Sequence, residues 1–400
     1  MIFNNSYIDY SSKTKIELYQ TFILFLILSN NNVVRFGKSL LTICLKLNLP
    51  ILGLIKKTVF KHFCGGETIK DCQERIRNLS INNIKTILDY SIEGQNNETS
   101  FQKTYNEIQN VLIECKKNPL IPFCVFKATG LASFNLLKKI NKKEILSHTE
   151  MEAFLKFKKR VNKICKTAEE IGVPVLIDAE ESWIQDTIDT LAEEMMSKYN
   201  QKKAIVYNTI QLYRKDKLQY IKEIHEIAKI KNYKLGLKLV RGAYMEKERC
   251  RAKKKLYKCP IHVNKNKCDQ DYNSASKYCL NHINDIAICF GTHNEESTKI
   301  VLDIMKNKNI ENNDPRIYFA QLLGMSDNIS YYLGCHKYNT AKYVPYGPVK
   351  EVLPYLIRRA EENSSISGQT NREIQRIKAA IKNTKNNVGN DTQKGVMKPD

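Results

Sequence analysis

The sequence lacks the short motifs that mark the common nucleotide-binding and hydrolytic enzymes. Among its 400 residues there is no GxGxxG after a predicted strand, no GxxxxGK[ST], no GxSxG and no HExxH. Each of these patterns builds part of a site, such as a phosphate-binding loop or a strained nucleophile turn. Their absence removes the usual sequence support for Rossmann-type dinucleotide binding, for P-loop hydrolysis, and for serine or zinc hydrolysis.

The chain also lacks a CxxC pair, although it has 12 cysteines. Their spacing is irregular, and we expect reduced thiols rather than a disulfide framework. One local concentration of cysteine and histidine comprises Cys250, Cys259, Cys268 and Cys279 with His262. Because local zinc sites are typically built from CxxC pairs, we expect no metal site there.

Long apolar runs are missing as well. The run TFILFLILS at 21–29 is about half as long as a bilayer crossing and is followed by Asn30, so we expect no transmembrane helix. The first seventeen residues contain Asp9 and Glu17 but no arginine, which is not typical of a mitochondrial presequence. This pattern favours a bacterial cytoplasmic compartment over a mitochondrial one.

Acidic residues are few compared with basic ones. The chain has 42 Asp and Glu against 64 Lys and Arg, a formal net charge of +22. Such an excess attracts polyanions or anionic lipid headgroups. The lysines are scattered along the chain, and no RRM, helix-turn-helix or zinc-finger pattern is present, so we expect no nucleic-acid partner.

The pattern of apolar residues changes near residue 80. Helical spacing from residue 13 onward predicts a helical arm over 1–80. Over 81–380, short runs rich in Val, Ile and Tyr alternate with longer amphipathic stretches, which is typical of βα units. The eight predicted strands are 84–90, 121–127, 173–178, 204–208, 235–242, 286–292, 316–320 and 339–346. The sequence therefore predicts an α/β fold, a (β/α)8 barrel, followed by a polar, disordered tail at 381–400.

Polar residues end several of these strands. In a (β/α)8 barrel the carboxyl ends of the strands meet at one mouth, where the active site lies. The residues expected there are Asp89, Lys127, Asp178, Arg241, His293, Gln321 and Tyr343. Two interpretations stay open for Lys127 and Asp178, because a lysine can mark a strand's exit to solvent and an aspartate can cap a helix.

The fifth and sixth units add cations and small residues to this mouth. Gly242, Ala243 and Tyr244 follow a strand that contains Lys238 and Arg241. Such a turn allows a flat ligand to approach the backbone, although a basic strand end with a small-residue turn is unremarkable by itself. The sixth strand ends in GTHN, 291–294. Together these features fit a phosphorylated cofactor held in the barrel.

Five longer segments resemble the proline dehydrogenases, a family of flavoenzymes. They are VPVLIDAEESW, KLVRGAYMEKER, FGTHNEES, FAQLLGMSD and KYVPYGPVKEVLPYLIRRAEEN. The match runs in order from Thr21 to Gln369, and CGGETI with IKTILDYSIEG resembles the stand-alone, single-function members. The resemblance implies a distorted (β/α)8 barrel that binds FAD noncovalently and oxidises L-proline to Δ1-pyrroline-5-carboxylate, the first step of proline catabolism to glutamate.

The resemblance also implies the site residues. Those at the substrate or in catalysis are Lys127, Asp178, Leu323, Tyr343, Arg358, Arg359 and Glu362. Those at FAD are Gln211, Lys238, Val240, Gly242, Ala243, Tyr244, Thr292, His293 and Asn294. Glu93 matches an acid that pairs with Arg358 as a gate over the substrate.

Two positions bear on the cofactor and the substrate. Many bifunctional members have arginine at the position of Lys238 and lysine at that of Arg241, so the cofactor's electronics are expected to differ modestly. Hydroxyproline-oxidising relatives tend to have a smaller residue in place of Tyr343. Its presence favours proline, with hydroxyproline as the alternative substrate.

The resemblance implies further partners. Electrons would pass to a membrane quinone, and a pyrroline-5-carboxylate dehydrogenase would be the functionally linked enzyme. We therefore expect peripheral attachment at the cytoplasmic face of a bacterial-type membrane, with the matrix side of the mitochondrial inner membrane as the alternative. A basic surface would suit anionic headgroups.

The segment LPYLIRRAEENSS, 353–365, has the spacing of a substrate-binding helix. We expect Pro354 in its first turn. Arg358 and Arg359 lie four and three residues before Glu362 and share its face, whereas Glu361 projects elsewhere. Pairing among exposed charges would gain only a few tenths of a kcal/mol. We interpret the two arginines and Glu362 as a receptor for a zwitterion.

Overall fold

Eight parallel strands form a closed barrel in the order β1 to β8. The computed structural model describes residue 3 and residues 14–30, 32–37, 51–92, 96–365 and 373–382. The strands are β1 (Ile84–Tyr90), β2 (Cys124–Lys127), β3 (Val175–Asp178), β4 (Val206–Gln211), β5 (Leu235–Val240), β6 (Ile286–Gly291), β7 (Ile317–Leu322) and β8 (Thr340–Tyr346). Pairing of β1 with β8 closes the barrel, from Ile84 opposite Thr340 to Tyr90 opposite Tyr346. The predicted fold is confirmed.

Helices precede the barrel and connect its strands. Before β1 lie α1 (Lys15–Leu28), α2 (32–37), α3 (52–63, with a π-helical turn at Lys56–Phe60) and α4 (Gln73–Ser80). The connecting helices are α5 (Glu98–Lys117), α6 (Phe134–Asn141), α7 (His148–Ile171), α8 (Ser182–Tyr199), α9 (Lys217–Ile230), α10 (Met245–Lys255), α11 (Lys265–Asn281), α12 (Glu295–Asn307) and α13 (Asp327–Cys335). After β8 come α14 (Val349–Ser365) and α15 (373–382).

Every predicted strand is present, with ends within three residues of the prediction. The fourth strand shows why the ends differ. It was predicted to stop at Asn208, but it continues to Gln211 because its polar residues are buried and pair with β5, Thr209 opposite Lys238 and Gln211 opposite Val240. Polarity alone is therefore a poor guide to where a strand ends at a barrel mouth.

Alternation along the strands determines which side chains enter the barrel. Phe123, just before β2, packs in the interior with Val125 of β2, Leu176 of β3, Tyr207 of β4 and Tyr343 of β8. Residues two positions apart on a strand face the same side. Lys127, Asp178 and Gln211 therefore continue these interior rows to the mouth. On β5 the leucines 235, 237 and 239 belong to the outer core against the helices, which leaves Lys238 facing inward.

The N-terminal helices pack on the helix that follows the barrel. Leu28 of α1 and Phe60 and Phe63 of α3 share an apolar cluster with Val352 and Leu356 of α14. The division into an arm at 1–80 and a barrel at 81–380 stays a prediction. The predicted tail at 381–400 lies outside the described residues from position 383 onward.

The start of α14 differs from the prediction. The helix begins at Val349, and Pro348 oxygen accepts hydrogen bonds from Glu351 N and Val352 N at 2.8 and 3.1 Å. Pro354 is thus the sixth helical residue and not part of the first turn, because the preceding Pro348 already fixes the backbone for helix initiation. None of the described helices is long and apolar enough to cross a membrane.

Candidate functional site

A buried cluster of Lys238, Asp178 and Tyr343 lies inside the barrel mouth. Lys238 Nζ is 2.5 Å from Asp178 Oδ1 and donates to the Tyr343 hydroxyl at 2.6 Å. The ammonium also lies 4.5 Å from the centre of the Tyr343 ring. The Lys238 and Asp178 side chains are only 6% and 14% exposed, so each charge is compensated by the other and not by water. Burial, together with the charge of Asp178, raises the pKa of Tyr343 and keeps its phenol protonated.

The structure decides between the two interpretations of Asp178. It is the last residue of β3, and its carboxylate pairs with Lys238. Helix α8 begins four residues later and has Glu181 at its N-cap, without a side-chain capping bond. Asp178 is therefore a mouth residue and not a helix cap. Lys127 ends β2 directly opposite it in the parallel register.

Glu180 is a buried acid near the barrel mouth that the sequence did not single out. Its carboxylate accepts hydrogen bonds from Thr129 N at 3.0 Å and from the Thr129 hydroxyl. Burial raises the pKa of Glu180 to about 7, while Thr129 and the nearby charge of Lys127 oppose that rise. Its backbone oxygen accepts from Gln211 Nε2 at 2.6 Å. The acid two residues after a strand-end aspartate was the available signal, but burial is visible only in the fold.

The turn after β5 has a structural reason for its glycine. Gly242 has φ +133°, and a Cβ there would lie 2.6 Å from the Tyr213 ring. Only glycine fits such a position. Ala243 next to it is exposed, and Tyr244 is buried at the start of α10. Packing against Tyr213 therefore accounts for the glycine, and the turn exposes the small Ala243 shortly after β5.

Arg241 joins the turns after β5 and β6. Its guanidinium donates to Asp269 Oδ1 at 2.7 Å, to Thr292 Oγ1 at 2.6 Å and to Ser297 Oγ at 2.8 Å. It also lies 4.5 Å from the centre of the Tyr272 ring. These contacts hold the two turns in fixed relation.

The predicted GTHN residues have distinct surroundings. Asn294 caps α12 by accepting from Ser297 N at 3.0 Å. His293 Nδ1 lies 3.1 Å from Ser326 Oγ. Desolvation of the ring, followed by the charges of Lys342 and Arg359, lowers the pKa of His293 to about 3. His293 is thus neutral at physiological pH, and β8 and α14 both bring cations near it.

The remaining predicted substrate residues lie directly after β7 and on α14. Leu323 is buried, and its N–H donates to Tyr343 O at 2.9 Å. On α14, Arg359 is buried with its guanidinium 5.1 Å from the centre of the Tyr355 ring, and Arg358 is half-buried. Glu362 belongs to α14, but its side chain lies outside the described part of the chain, as does all of Glu93.

The cysteine and histidine concentration does not form a metal site within the described residues. His262 Nε2 pairs with Asp271 Oδ2 at 2.7 Å, and no group of three or more His, Cys, Asp or Glu in that part of the chain could hold a metal ion. The cysteines of the described part are free thiols.

The rim of the barrel has side chains that are chemically suited to a flat, polar ring system. Gln211 and Val240 are adjacent in the register of β4 and β5, and Lys238 supplies an ammonium beside them. A flat, polar ring system needs hydrogen-bond donors at one edge and small residues where the backbone approaches it. The amide of Gln211, the ammonium of Lys238 and the Gly242–Ala243 turn provide both.

Comparison with known proteins gives the family. Residues 72–372 match the family described as proline dehydrogenase. The chain is 32% identical over 431 aligned positions to "Proline dehydrogenase 1, mitochondrial" of Dictyostelium discoideum, covering 95% of this chain and 75% of the relative. It is 32% identical over 321 positions to "Carbapenem antibiotics biosynthesis protein CarD" of Pectobacterium carotovorum subsp. carotovorum, covering 80% and 83%.

A solved structure has the same fold. Proline utilization A from Bdellovibrio bacteriovorus, inactivated by N-propargylglycine, matches with a TM-score of 0.69 and 22% identity over 90% of this chain and 38% of that chain. Fold and family together define the class, a (β/α)8-barrel oxidoreductase. The chain belongs to the proline dehydrogenase family, which oxidises proline in proline catabolism.

Proposed function

We propose that this chain oxidises L-proline to Δ1-pyrroline-5-carboxylate with noncovalently bound FAD. The observation that carries the proposal is the buried cluster of Lys238, Asp178 and Tyr343 at the mouth of a barrel of this family. The cluster offers a phenol wall and a compensated charge pair, which suits a small zwitterion lying against a flavin. The experiment that tests it is reduction of the protein's flavin by L-proline under anaerobic conditions.

Residues at the ends of two strands and in the two turns that follow β5 and β6 would hold the cofactor. Gln211, Lys238 and Val240 lie along one edge of the rim, next to the Gly242–Ala243–Tyr244 turn. Thr292, His293 and Asn294 would serve its ribityl, phosphate or adenosine part. Neutral His293 can donate or accept a hydrogen bond without adding charge. When bound, FAD supplies the acceptor for the hydride equivalent that leaves the proline ring carbon beside nitrogen.

The chain's own residues would bind and orient the substrate. Arg358 and Arg359 would hold the proline carboxylate, because a guanidinium can donate two parallel hydrogen bonds to it. Glu362 would pair with the ring ammonium, which loses one proton as the carbon–nitrogen double bond forms. Leu323 and Tyr343 would pack against the ring and fix the reacting carbon.

Lys127 and Asp178 would set the charge around the flavin and the substrate. They lie opposite each other in the register, and Asp178 already compensates Lys238. The Tyr343 side chain would fill the space that the hydroxyl group of hydroxyproline needs. Hydroxyproline is therefore not the favoured substrate.

Glu93 and Arg358 would form a gate over the bound substrate. A double-mutant cycle on proline affinity tests this contact, with Glu93→Gln and Arg358→Met alone and combined. Coupling above about 0.5 kcal/mol supports the gate, and additive effects count against it.

The electrons would pass to a membrane quinone, and a pyrroline-5-carboxylate dehydrogenase would consume the product. The Dictyostelium relative is named mitochondrial, so we propose peripheral attachment on the matrix side of the mitochondrial inner membrane in preference to a bacterial cytoplasmic face. Two features support attachment to anionic lipid. They are the net charge of +22 and the exposed isoleucines of α1, Ile16, Ile23 and Ile27.

A further inference from the structure

The segment Gly65–Gly66–Glu67 lies against the end of β8, the strand that carries Tyr343. Gly65 N donates to Pro345 O at 2.9 Å, and Gly347 N donates to Gly66 O at 3.1 Å. Gly66 also forms a parallel bridge with Tyr346. Although no strand was predicted before residue 80, this short piece of chain thus extends beside the C-terminal end of a barrel strand.

Close packing explains the two glycines. A Cβ on Gly65 would lie 2.5 Å from Val344 Cγ1 and 2.7 Å from Cys72 Sγ, and a Cβ on Gly66 would lie 2.3 Å from Asp71 Cβ. Side chains cannot be accommodated at these distances without moving the backbone. Contacts with Val344 on one side and with Cys72 and Asp71 on the other therefore fix the position of the next residue, Glu67.

Glu67 contacts the start of α14. Its Oε1 accepts from Val349 N at 3.3 Å, the first residue of that helix. The first N–H groups of a helix have no partner within the helix, and a carboxylate there is favoured by the helix dipole. The other oxygen, Oε2, accepts from Lys56 of α3, and this bond is the main reason that the pKa of Glu67 is lowered.

The turn around Glu67 is itself held by Asp71. Asp71 Oδ2 accepts from Glu67 N at 3.2 Å and from Thr68 N at 3.1 Å. Glu67 therefore connects α3, the end of β8 and the first turn of α14. Tyr343 lies on β8, and Arg358 and Arg359 lie on α14, so this connection joins the two elements that carry these predicted substrate residues.

We propose that Glu67 is a positioning residue that holds the start of α14 against the end of β8, so that Arg358 and Arg359 face Tyr343 across the mouth. The inference rests on the proposed function, because it assigns α14 to the substrate. Glu67 acts through Val349 N and does not touch the reacting atoms. Its loss should therefore weaken substrate binding more than turnover.

The test compares Glu67→Ala and Glu67→Gln with the wild type and with a control, Glu144→Gln. Glu144 pairs with Lys142 at 2.9 Å on the surface between α6 and α7, outside β8 and α14. Steady-state kinetics give KM and kcat for proline. Hydrogen exchange gives the protection of the amides at the start of α14, which does not depend on catalysis.

For Glu67→Ala we expect KM to rise about three- to tenfold with kcat within about twofold, as for the loss of a helix cap. The amides from Val349 onward should exchange faster. Glu67→Gln keeps an acceptor oxygen and should lie between Ala and wild type, and Glu144→Gln should match wild type. Glu67→Gln also serves as the readout if the alanine variant does not fold.

Two outcomes would overturn the inference. One is that the wild-type flavin is reduced by proline, but both Glu67 variants keep the wild-type KM and the wild-type amide exchange at the start of α14. The other is a fall in kcat with KM unchanged, which would place Glu67 in the chemistry. If proline does not reduce the flavin of the wild-type protein, the proposed function is overturned instead. The hydrogen-exchange data would then show separately whether Glu67 holds α14.

Discussion

At the scale of the residue, two titratable side chains near the mouth have pKa values moved in opposite directions. Burial raises the pKa of Glu180 to about 7 from its ordinary 4.5, and desolvation lowers that of His293 to about 3 from 6.5. Ionising Glu180 costs stability as the pH rises between about 4.5 and 7. Protonating His293 costs stability as the pH falls below about 6.5. Near pH 5 to 6 the two groups change the free energy of unfolding with pH in opposite directions, so their contributions offset each other. Variants of one residue at a time are needed to separate them.

Glu180→Gln isolates the first effect. The variant cannot ionise, so its free energy of unfolding relative to wild type should rise with pH between about 4.5 and 7, by on the order of 3 kcal/mol. Urea unfolding at pH 5 and pH 8 measures the difference. Glu144→Gln is the matched control, because the exposed Glu144 has a lowered pKa and should not produce this rise. An equal difference between variant and wild type at both pH values would contradict the burial of Glu180.

The sequence revealed the strand-end residues but not their partners. Alternation and strand order placed Lys127, Asp178 and Tyr343 at one mouth without any coordinates. The pairing of Asp178 with Lys238 could not be predicted, because it joins β3 to β5 across the barrel interior. Glu180 was missed for a related reason. An acid in a polar run normally faces solvent, and only the fold shows that it is buried against Thr129.

At the scale of the element, α14 brings charge to the mouth. Its apolar side packs on α1 and α3 through Val352 and Leu356, while Arg359 is buried and lies near His293. The helix spacing of Arg358 and Arg359 was readable in the sequence. Its start was not, because Pro354 is compatible with a first turn, whereas in the structure the helix begins five residues earlier, directly after Pro348.

Arg358→Met tests whether α14 binds the substrate. Methionine keeps most of the side-chain volume and removes the guanidinium. Losing a charged hydrogen bond to the proline carboxylate should cost about 1.5 to 3 kcal/mol, or roughly a ten- to hundredfold rise in KM. FAD content, read from the visible spectrum, should not change. Proline saturation identical to wild type would show that Arg358 does not bind the carboxylate.

At the scale of the whole molecule, α1 is apolar on both sides. Leu18, Phe25 and Leu28 are buried, whereas Ile16, Ile23 and Ile27 on the other side are 72%, 54% and 48% exposed. A helix that is apolar all round is normally covered on each side. Together with the net charge of +22, this favours contact of the outer side with an anionic lipid surface.

Liposome co-sedimentation tests this contact. Wild-type protein should bind vesicles that contain anionic lipid and bind neutral vesicles weakly. Replacing Ile16, Ile23 and Ile27 by serine should reduce binding by about tenfold or more, because each loses apolar burial. The control replaces three isoleucines elsewhere that are more exposed than those of α1, namely Ile81, Ile145 and Ile230. Binding that is independent of anionic lipid, or lost equally in both variants, would contradict the proposal.

The central claim is tested most directly by the visible spectrum of the flavin. Purified protein, supplied with FAD and kept anaerobic, should show an oxidised flavin spectrum that L-proline bleaches within the time of turnover. Hydroxyproline should bleach it more slowly, because Tyr343 fills the space that a ring hydroxyl needs. Tyr343→Ser should narrow that difference. A protein that does not retain FAD, or whose bound FAD stays oxidised when L-proline is added, would contradict the account.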